Sequence, residues 1–233
     1  MAQFPAGQTL LIDADDTLWE NNIYFEEAFD RFYEYLSHSS MSHAEVRSIL
    51  DEIEMTNAKI HGYGSKNYAR NLAQCYQRLA ERHIAEADLE AVQEFAHAIL
   101  EKPIELIEGV EDTVARLSER HSLTIFTKGD LDEQRVKIDN SGLSKYFEHA
   151  AIVKEKNQAA YANLAEERNF DHARTWMIGN SPKSDINPAL AAGLNAVFVP
   201  HARTWTIEKT EEVPQNHPRL IQVERIRELL DHF

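Results

Sequence analysis

The chain has 233 residues, 39 of them acidic and 24 basic, for a formal net charge of −15. Hydrophobic residues at 43% and charged residues at 27% are the proportions of a globular protein with a buried core. The acidic excess argues against a nucleic-acid polymer as partner, since such partners favour basic surfaces, and no apolar run approaches the roughly 20 residues of a membrane span. The single cysteine, Cys75, cannot close an internal disulfide, and the first residues lack the basic and apolar regions of a secretory signal, so a cytoplasmic location is expected.

In chain order, residues 9–13 form a short apolar run ending in an acidic cluster, as a buried parallel strand would. Helical periodicity then fills residues 22–102. Phe25, Phe29, Phe32 and Leu36 mark a first apolar face, and Ser42 with Glu45 forms a capping box that opens a second helix. Ser65 is expected to cap a third helix, which places Cys75 in its core, and Leu89, Val92, Phe95, Ala96 and Ile99 line a fourth. From residue 105 helix and strand alternate, with strands predicted at 123–127, 150–153, 176–179 and 196–199. An irregular stretch with Pro200, Pro214 and Pro218 follows, and then a last helix over 219–232. The pattern is that of an α/β protein: a doubly wound parallel-sheet (Rossmann-like) core from residues 1–20 and 103–233, with an all-helical domain, 21–102, inserted after the first strand.

Ligands bind such sheets beyond the carboxyl ends of the strands. Those ends carry Asp13-Ala14-Asp15-Asp16-Thr17, Thr127-Lys128-Gly129-Asp130, Lys154-Glu155-Lys156 and the stretch Gly179-Asn180-Ser181 to Asp185. Carboxylates at Asp13, Asp15 and Asp185 offer hard oxygen ligands for Mg²⁺. Thr127 adds a hydroxyl, and the Lys156 ammonium balances the negative charge. A phosphate held there lies within reach of Asp13, whose carboxylate can attack phosphorus, while Asp15 can protonate the leaving oxygen and later activate water. Each element alone has a plainer role: Asp-x-Asp as a solvated turn, Thr127 or Asp185 as a helix cap, the lysines as surface groups. A calcium loop is excluded, because Leu18 and Tyr24 occupy its required glycine and glutamate positions. No phosphate loop, nucleophile elbow or His-Glu-x-x-His pair is present, and the eleven histidines show no ligand spacing. Trp19, just past the acidic turn, is placed to border the pocket.

With these residues in hand, the chain resembles the haloacid dehalogenase-like hydrolase superfamily over essentially its whole length. The Asp-x-Asp-x-Thr of its first motif is similar to Asp13-Ala14-Asp15-Asp16-Thr17, its second-motif hydroxyl to Thr127, its third-motif lysine to Lys156, with Lys154 as the nearby competitor, and its fourth-motif acid to Asp185. The helices after the first motif look like the family's C1-type cap, a lid over the site. The resemblance implies that Asp13 is the nucleophile and a metal ligand, and that Asp15 is the acid/base and binds Mg²⁺ through its backbone carbonyl. It further implies that Thr127 and the amides of Lys128 and Gly129 hold phosphate oxygens, that Lys156 stabilises the phosphoryl charge and that Asp185 binds the metal. One departure stands out: Asn180 occupies a position where many phosphatases of this group carry a second acid.

The expected activity is Mg²⁺-dependent hydrolysis of a small phosphorylated metabolite through an aspartyl-phosphate. The alternatives are a phosphomutase, a 2-haloacid dehalogenase, against which Asp15 argues, and a binding protein that kept the fold without catalysis. Substrate choice is expected in the helical insert, with Tyr63 and Lys66 in His61–Lys66, and Asn21, Asn22 and Tyr24, as candidates.

Overall fold

A computed structural model describes residues 3–233. Thr9-Leu10-Leu11-Ile12 is the central strand, β1 (Thr9–Ile12), and its side chains alternate between two apolar layers. Leu10 and Ile12 pack with Val110, Leu123, Ile125 and Ile178, whereas Leu11 faces Phe126, Tyr161 and Met177 on the other side. Burial on both faces is why this segment reads as an uninterrupted apolar run. The remaining strands are β2 (Ser122–Lys128), β3 (His149–Val153), β4 (Thr175–Gly179), β5 (Asn195–Phe198) and β6 (Leu220–Gln222). They form one sheet in the order β3-β2-β1-β4-β5-β6, and every neighbouring pair is parallel. The order reverses at β1 and β4, which creates a switch point where ligands of doubly wound sheets bind.

The chain divides into two compact units: residues up to Glu20 with Ile104–Phe233, and Asn21–Pro103. The second unit consists of α1 (Asn22–Leu36), α2 (His43–His61), α3 (Ser65–Leu79) and α4 (Glu86–His97), followed by a short 3₁₀ turn. Its own core holds Phe29, Phe32, Leu50, Leu72, Tyr76 and Val92, with Cys75 buried among them. The Ser42–Glu45 capping box opens α2. Ser65, by contrast, does not cap α3. It is that helix's first, buried residue, and Gly64 at φ 110° stands at the cap without a side chain to offer. In the sheet unit, α5 (Val110–Ser118), α6 (Leu131–Asn140), α7 (Gln158–Glu167) and α8 (Asn187–Ala191) connect the strands. No helix among the described residues is long and apolar enough to cross a membrane.

The C-terminal part departs from expectation. The segment expected as a helix over 219–232 begins with strand β6 and continues as a 3₁₀ helix at Ile226–Asp231. Leu220-Ile221 completes the sheet because the outer edge of β5 would otherwise leave backbone groups unpaired. Ala196 N–H donates to Arg219 O (2.9 Å) and Val223 N–H to Phe198 O (3.0 Å). The stretch read as irregular likewise contains a 3₁₀ turn, Thr206–Lys209.

Candidate active site

Asp13 follows β1 directly, and its N–H extends the ladder by donating to Ile178 O (2.9 Å). The chain then curls sharply. Leu18 N–H donates to Ala14 O (2.8 Å), and Asp16 adopts a left-handed conformation at φ 61°, which aspartate tolerates better than most residues. Asp13 is a buried residue, 6% exposed, and its side chain meets Lys156, itself 3% exposed. The Lys156 ammonium also donates to Asp185 Oδ1 (2.5 Å) and to Phe126 O (3.2 Å). Lys154 is exposed, so burial decides between the two candidate lysines.

Two buried carboxylates thus share one ammonium. Burial and the neighbouring Asp185 push the Asp13 carboxyl up to about 7, against the opposing pull of Lys156. Burial also raises Asp185. Lys156 is raised as well: desolvation disfavours its charge, but the two carboxylates outweigh that. The group is one positive charge short, and its donors are hard oxygens, a combination that suits a divalent cation such as Mg²⁺.

Asp185 lies in a tight turn, Pro182–Ile186, in which Ile186 N–H reaches back to Ser181 O (3.1 Å). Its second oxygen accepts from Ser181 N–H (2.9 Å), so both oxygens are engaged by protein donors. The carboxylate rests on Gly179, where a Cβ would overlap it. The expected alternative of Asp185 as a helix cap does not hold: α8 has no side-chain cap, and the turn before it is capped by the Ser181 hydroxyl, which accepts from Ser184 N–H (2.9 Å). Asn180, 5% exposed, points its amide oxygen at Thr17 Oγ1 (3.3 Å), and the Thr17 hydroxyl also lies 3.1 Å from Asp13 Oδ2. Among the motif-four side chains, Asn180 therefore brings an oxygen to the Asp13 side of the site.

Asp15 turns to a separate set of partners. Trp19 Nε1 donates to its Oδ1 (2.8 Å), Gln134 Nε2 to its Oδ2 (2.8 Å), and Lys137 Nζ approaches both oxygens (2.9 and 3.1 Å). Burial opposes ionisation of Asp15, but the Lys137 charge and these donors win and hold the carboxyl below its ordinary range. Lys137 and Gln134 were not expected from the sequence. They lie on α6, and only the fold brings that helix to the end of β1. Trp19, expected at the rim of a pocket, is fully buried and serves Asp15 instead.

Thr127 ends the buried part of β2, with its hydroxyl 3.4 Å from Gln134 Oε1. It does not cap α6, a role that Asp130 takes by accepting from Asp132 N–H and Glu133 N–H. The Gly129 amide, expected on phosphate, donates to Val153 O (3.1 Å), because the β2–β3 ladder runs one residue further than the apolar run. Gly129 has a different use: its missing side chain makes room for Gln134, whose Nε2 lies 3.0 Å from where a Cβ would stand. Lys128 Nζ pairs with Glu208 Oε1 (2.6 Å) and donates to Ser184 Oγ (2.8 Å). Glu208, 7% exposed, is held down to about 2, since Lys128 and the Ser181 and Ser184 hydroxyls overcome the cost of its burial. His201, one of the histidines read as scattered, approaches Glu20 Oε2 (3.4 Å) and Asp16 Oδ1 (3.9 Å) on this same unit.

The strand order and the polar carboxyl edge place the chain among doubly wound α/β proteins that act on a ligand at the switch point. More narrowly, it belongs to the haloacid dehalogenase-like hydrolases, whose family model matches residues 8–193. A haloacid dehalogenase-like family hydrolase from Xanthomonas campestris is 31% identical, with a TM-score of 0.82 over 97% of this chain and 93% of that one. The HAD-hydrolase YfnB of Bacillus subtilis is 26% identical over 160 residues, and the match spans 66% of this chain and 64% of that protein's length. A magnesium-bound crystal form of YfnB superposes with a TM-score of 0.69 at 19% identity over 97% and 98% of the two chains. The L-2-haloacid dehalogenase of Xanthobacter autotrophicus shares the fold at 16% identity, with a TM-score of 0.63 over 96% of each chain.

Proposed function

We propose that this hydrolase is a cytoplasmic, Mg²⁺-dependent phosphatase acting on a small phosphorylated metabolite, with Asp13 as nucleophile. The observation that carries the proposal is the buried Asp13–Lys156–Asp185 group at the head of β1, which holds more negative than positive charge. Asp13, the Asp15 backbone carbonyl and the Asn180 amide oxygen would hold the cation, with Asp185 mainly fixing Lys156. Bound Mg²⁺ supplies charge neutralisation for the phosphate oxygens and for the two carboxylates.

Within this reading the chain's own groups divide the work. An Asp13 oxygen bonds to phosphorus as the ester oxygen departs, giving an aspartyl-phosphate. Asp15 passes a proton to the departing oxygen, then takes one from the water that attacks the aspartyl-phosphate, and phosphate leaves with Asp13 restored. The Trp19, Gln134 and Lys137 contacts favour ionised Asp15, the form needed for the second step. Thr127 donates to a phosphoryl oxygen, and the Lys156 charge stabilises the phosphoryl group. Asp15 also favours phosphoryl transfer over dehalogenation, which has no leaving oxygen to protonate. Recognition of the rest of the substrate is assigned to the helical unit.

Hydrolysis of an aryl phosphate by the full chain tests the proposal. Activity should require Mg²⁺, stop in a chelator and fall at least about a thousandfold in Asp13→Asn with the far-ultraviolet circular dichroism unchanged. Undiminished activity in that variant or in the chelator would refute it.

A further inference from the structure

The segment after β5, beyond the stretch matched by the family model, reaches back into the fourth motif. Asn180 Nδ2 donates to Thr204 Oγ1 (2.8 Å), and Thr204 Oγ1 donates to His201 O (3.0 Å). Proton accounting fixes the direction of this relay. A carbonyl only accepts, so the one hydroxyl proton of Thr204 goes to His201, and Thr204 must accept on its other side. The amide group facing it is therefore NH₂, and the amide oxygen is turned to Thr17 and Asp13. Thr204 is 6% exposed, so water competes little for these bonds. Four residues on, Glu208 accepts from the neighbouring Ser181 hydroxyl (2.6 Å) while pairing with Lys128, so the same segment grips consecutive side chains of the motif-four turn.

We infer that Thr204 is a positioning residue of the metal site: by accepting from Asn180 it turns the amide oxygen, and not the nitrogen, toward the cation beside Asp13. An acid at position 180 presents oxygen in either orientation and needs no such partner, whereas an amide presents oxygen only when something selects its rotamer. Thr204 thus secures an oxygen donor at a position where the departure from an acid leaves an amide, without replacing the lost charge. This inference rests on the proposed Mg²⁺ site and concerns how this chain builds it.

The test is Mg²⁺ binding to the full chain by titration calorimetry, arranged as a double-mutant cycle. Thr204→Val should weaken Mg²⁺ binding about tenfold, the usual scale for losing the partner that orients a ligand. In an Asn180→Asp background the same change should cost less than about twofold, and Thr204→Ser should bind as wild type. Equal losses in both backgrounds, or no loss in either, would overturn the inference, since a merely structural role does not depend on the residue at 180. Where Thr204→Val unfolds, Thr204→Ala enters the same cycle and is read the same way. A wild-type chain that takes up no Mg²⁺ would overturn the proposed phosphatase as well, whereas binding without coupling overturns only the role of Thr204.

Discussion

Asp13 is where burial and charge pull hardest against each other. Its carboxyl, ordinarily near 3.8, is raised to about 7 in the folded chain. Between those values the folded form holds a proton that the unfolded form has released, so this group's contribution makes stability fall as pH rises through that window. Below it both forms are protonated, and above it the cost of burying the charge is present in full. The metal-free chain should therefore melt about 5 °C lower near pH 8 than near pH 5 from this source. Mg²⁺ should restore more of the melting temperature at the higher pH, and Asp13→Asn should remove most of the difference. Melting curves with an equal Mg²⁺ shift at both pH values would contradict this account. The place of Asp13 at the end of a buried strand was legible in the sequence, because an aspartate closing a short apolar run is a one-dimensional pattern. Lys137 and Gln134 were not legible: on α6 they look like ordinary polar residues, and nothing local reports that Asp15 lies across from them.

At the scale of elements, the end of β4 and the turn after it work as one piece. Gly179 leaves a space that the Asp185 carboxylate fills, and Asp185 in turn holds Lys156. Gly179→Ala should push the carboxylate off the strand end and disturb the Asp13 pair, costing about 1–3 kcal/mol of stability in urea unfolding together with most of the activity. A variant with unchanged stability and activity would mean that Asp185 has slack the structure does not suggest. The glycine was visible in the sequence as part of a motif, but its reason was not, since the conflict is with a side chain six residues further along the chain that only the folded turn brings back onto it. The last strand teaches the same lesson in reverse. Residues 219–232 carry apolar spacing compatible with a helix, yet the open edge of β5 recruits Leu220–Gln222. A free sheet edge outweighs local propensity, and its existence depends on the whole sheet being assembled.

At the scale of the molecule, each unit has its own apolar core, and the sheet unit is interrupted only between Glu20 and Ile104. The two ends of that break are adjacent: Glu20 N–H donates to Glu105 O (2.9 Å), and Trp19 bridges to Leu106. A chain in which residues 21–103 are replaced by a short glycine-serine linker should fold cooperatively and keep near-ultraviolet circular dichroism, since no loop of any length has to be forced closed. Loss of cooperative melting in that variant would show that the sheet unit depends on the helical one. The placement of the helical segment after the first strand was readable from periodicity, because a change from mixed to purely helical repeats is visible along the chain.

The alternation of strands and helices, the helical insertion and the residues at the strand ends were legible along the chain, because all of them are written in local periodicity and in apolar runs that stop at charge. Tertiary structure alone decided which lysine is buried with Asp13, which groups hold Asp15, how the sheet ends at β6 and which way the Asn180 amide faces. Those outcomes depend on burial and on hydrogen bonds between residues far apart in the chain, such as Thr204 with Asn180 and Lys137 with Asp15. The free energy of a charge or an amide is set by what surrounds it, and the surroundings exist only once the chain has folded.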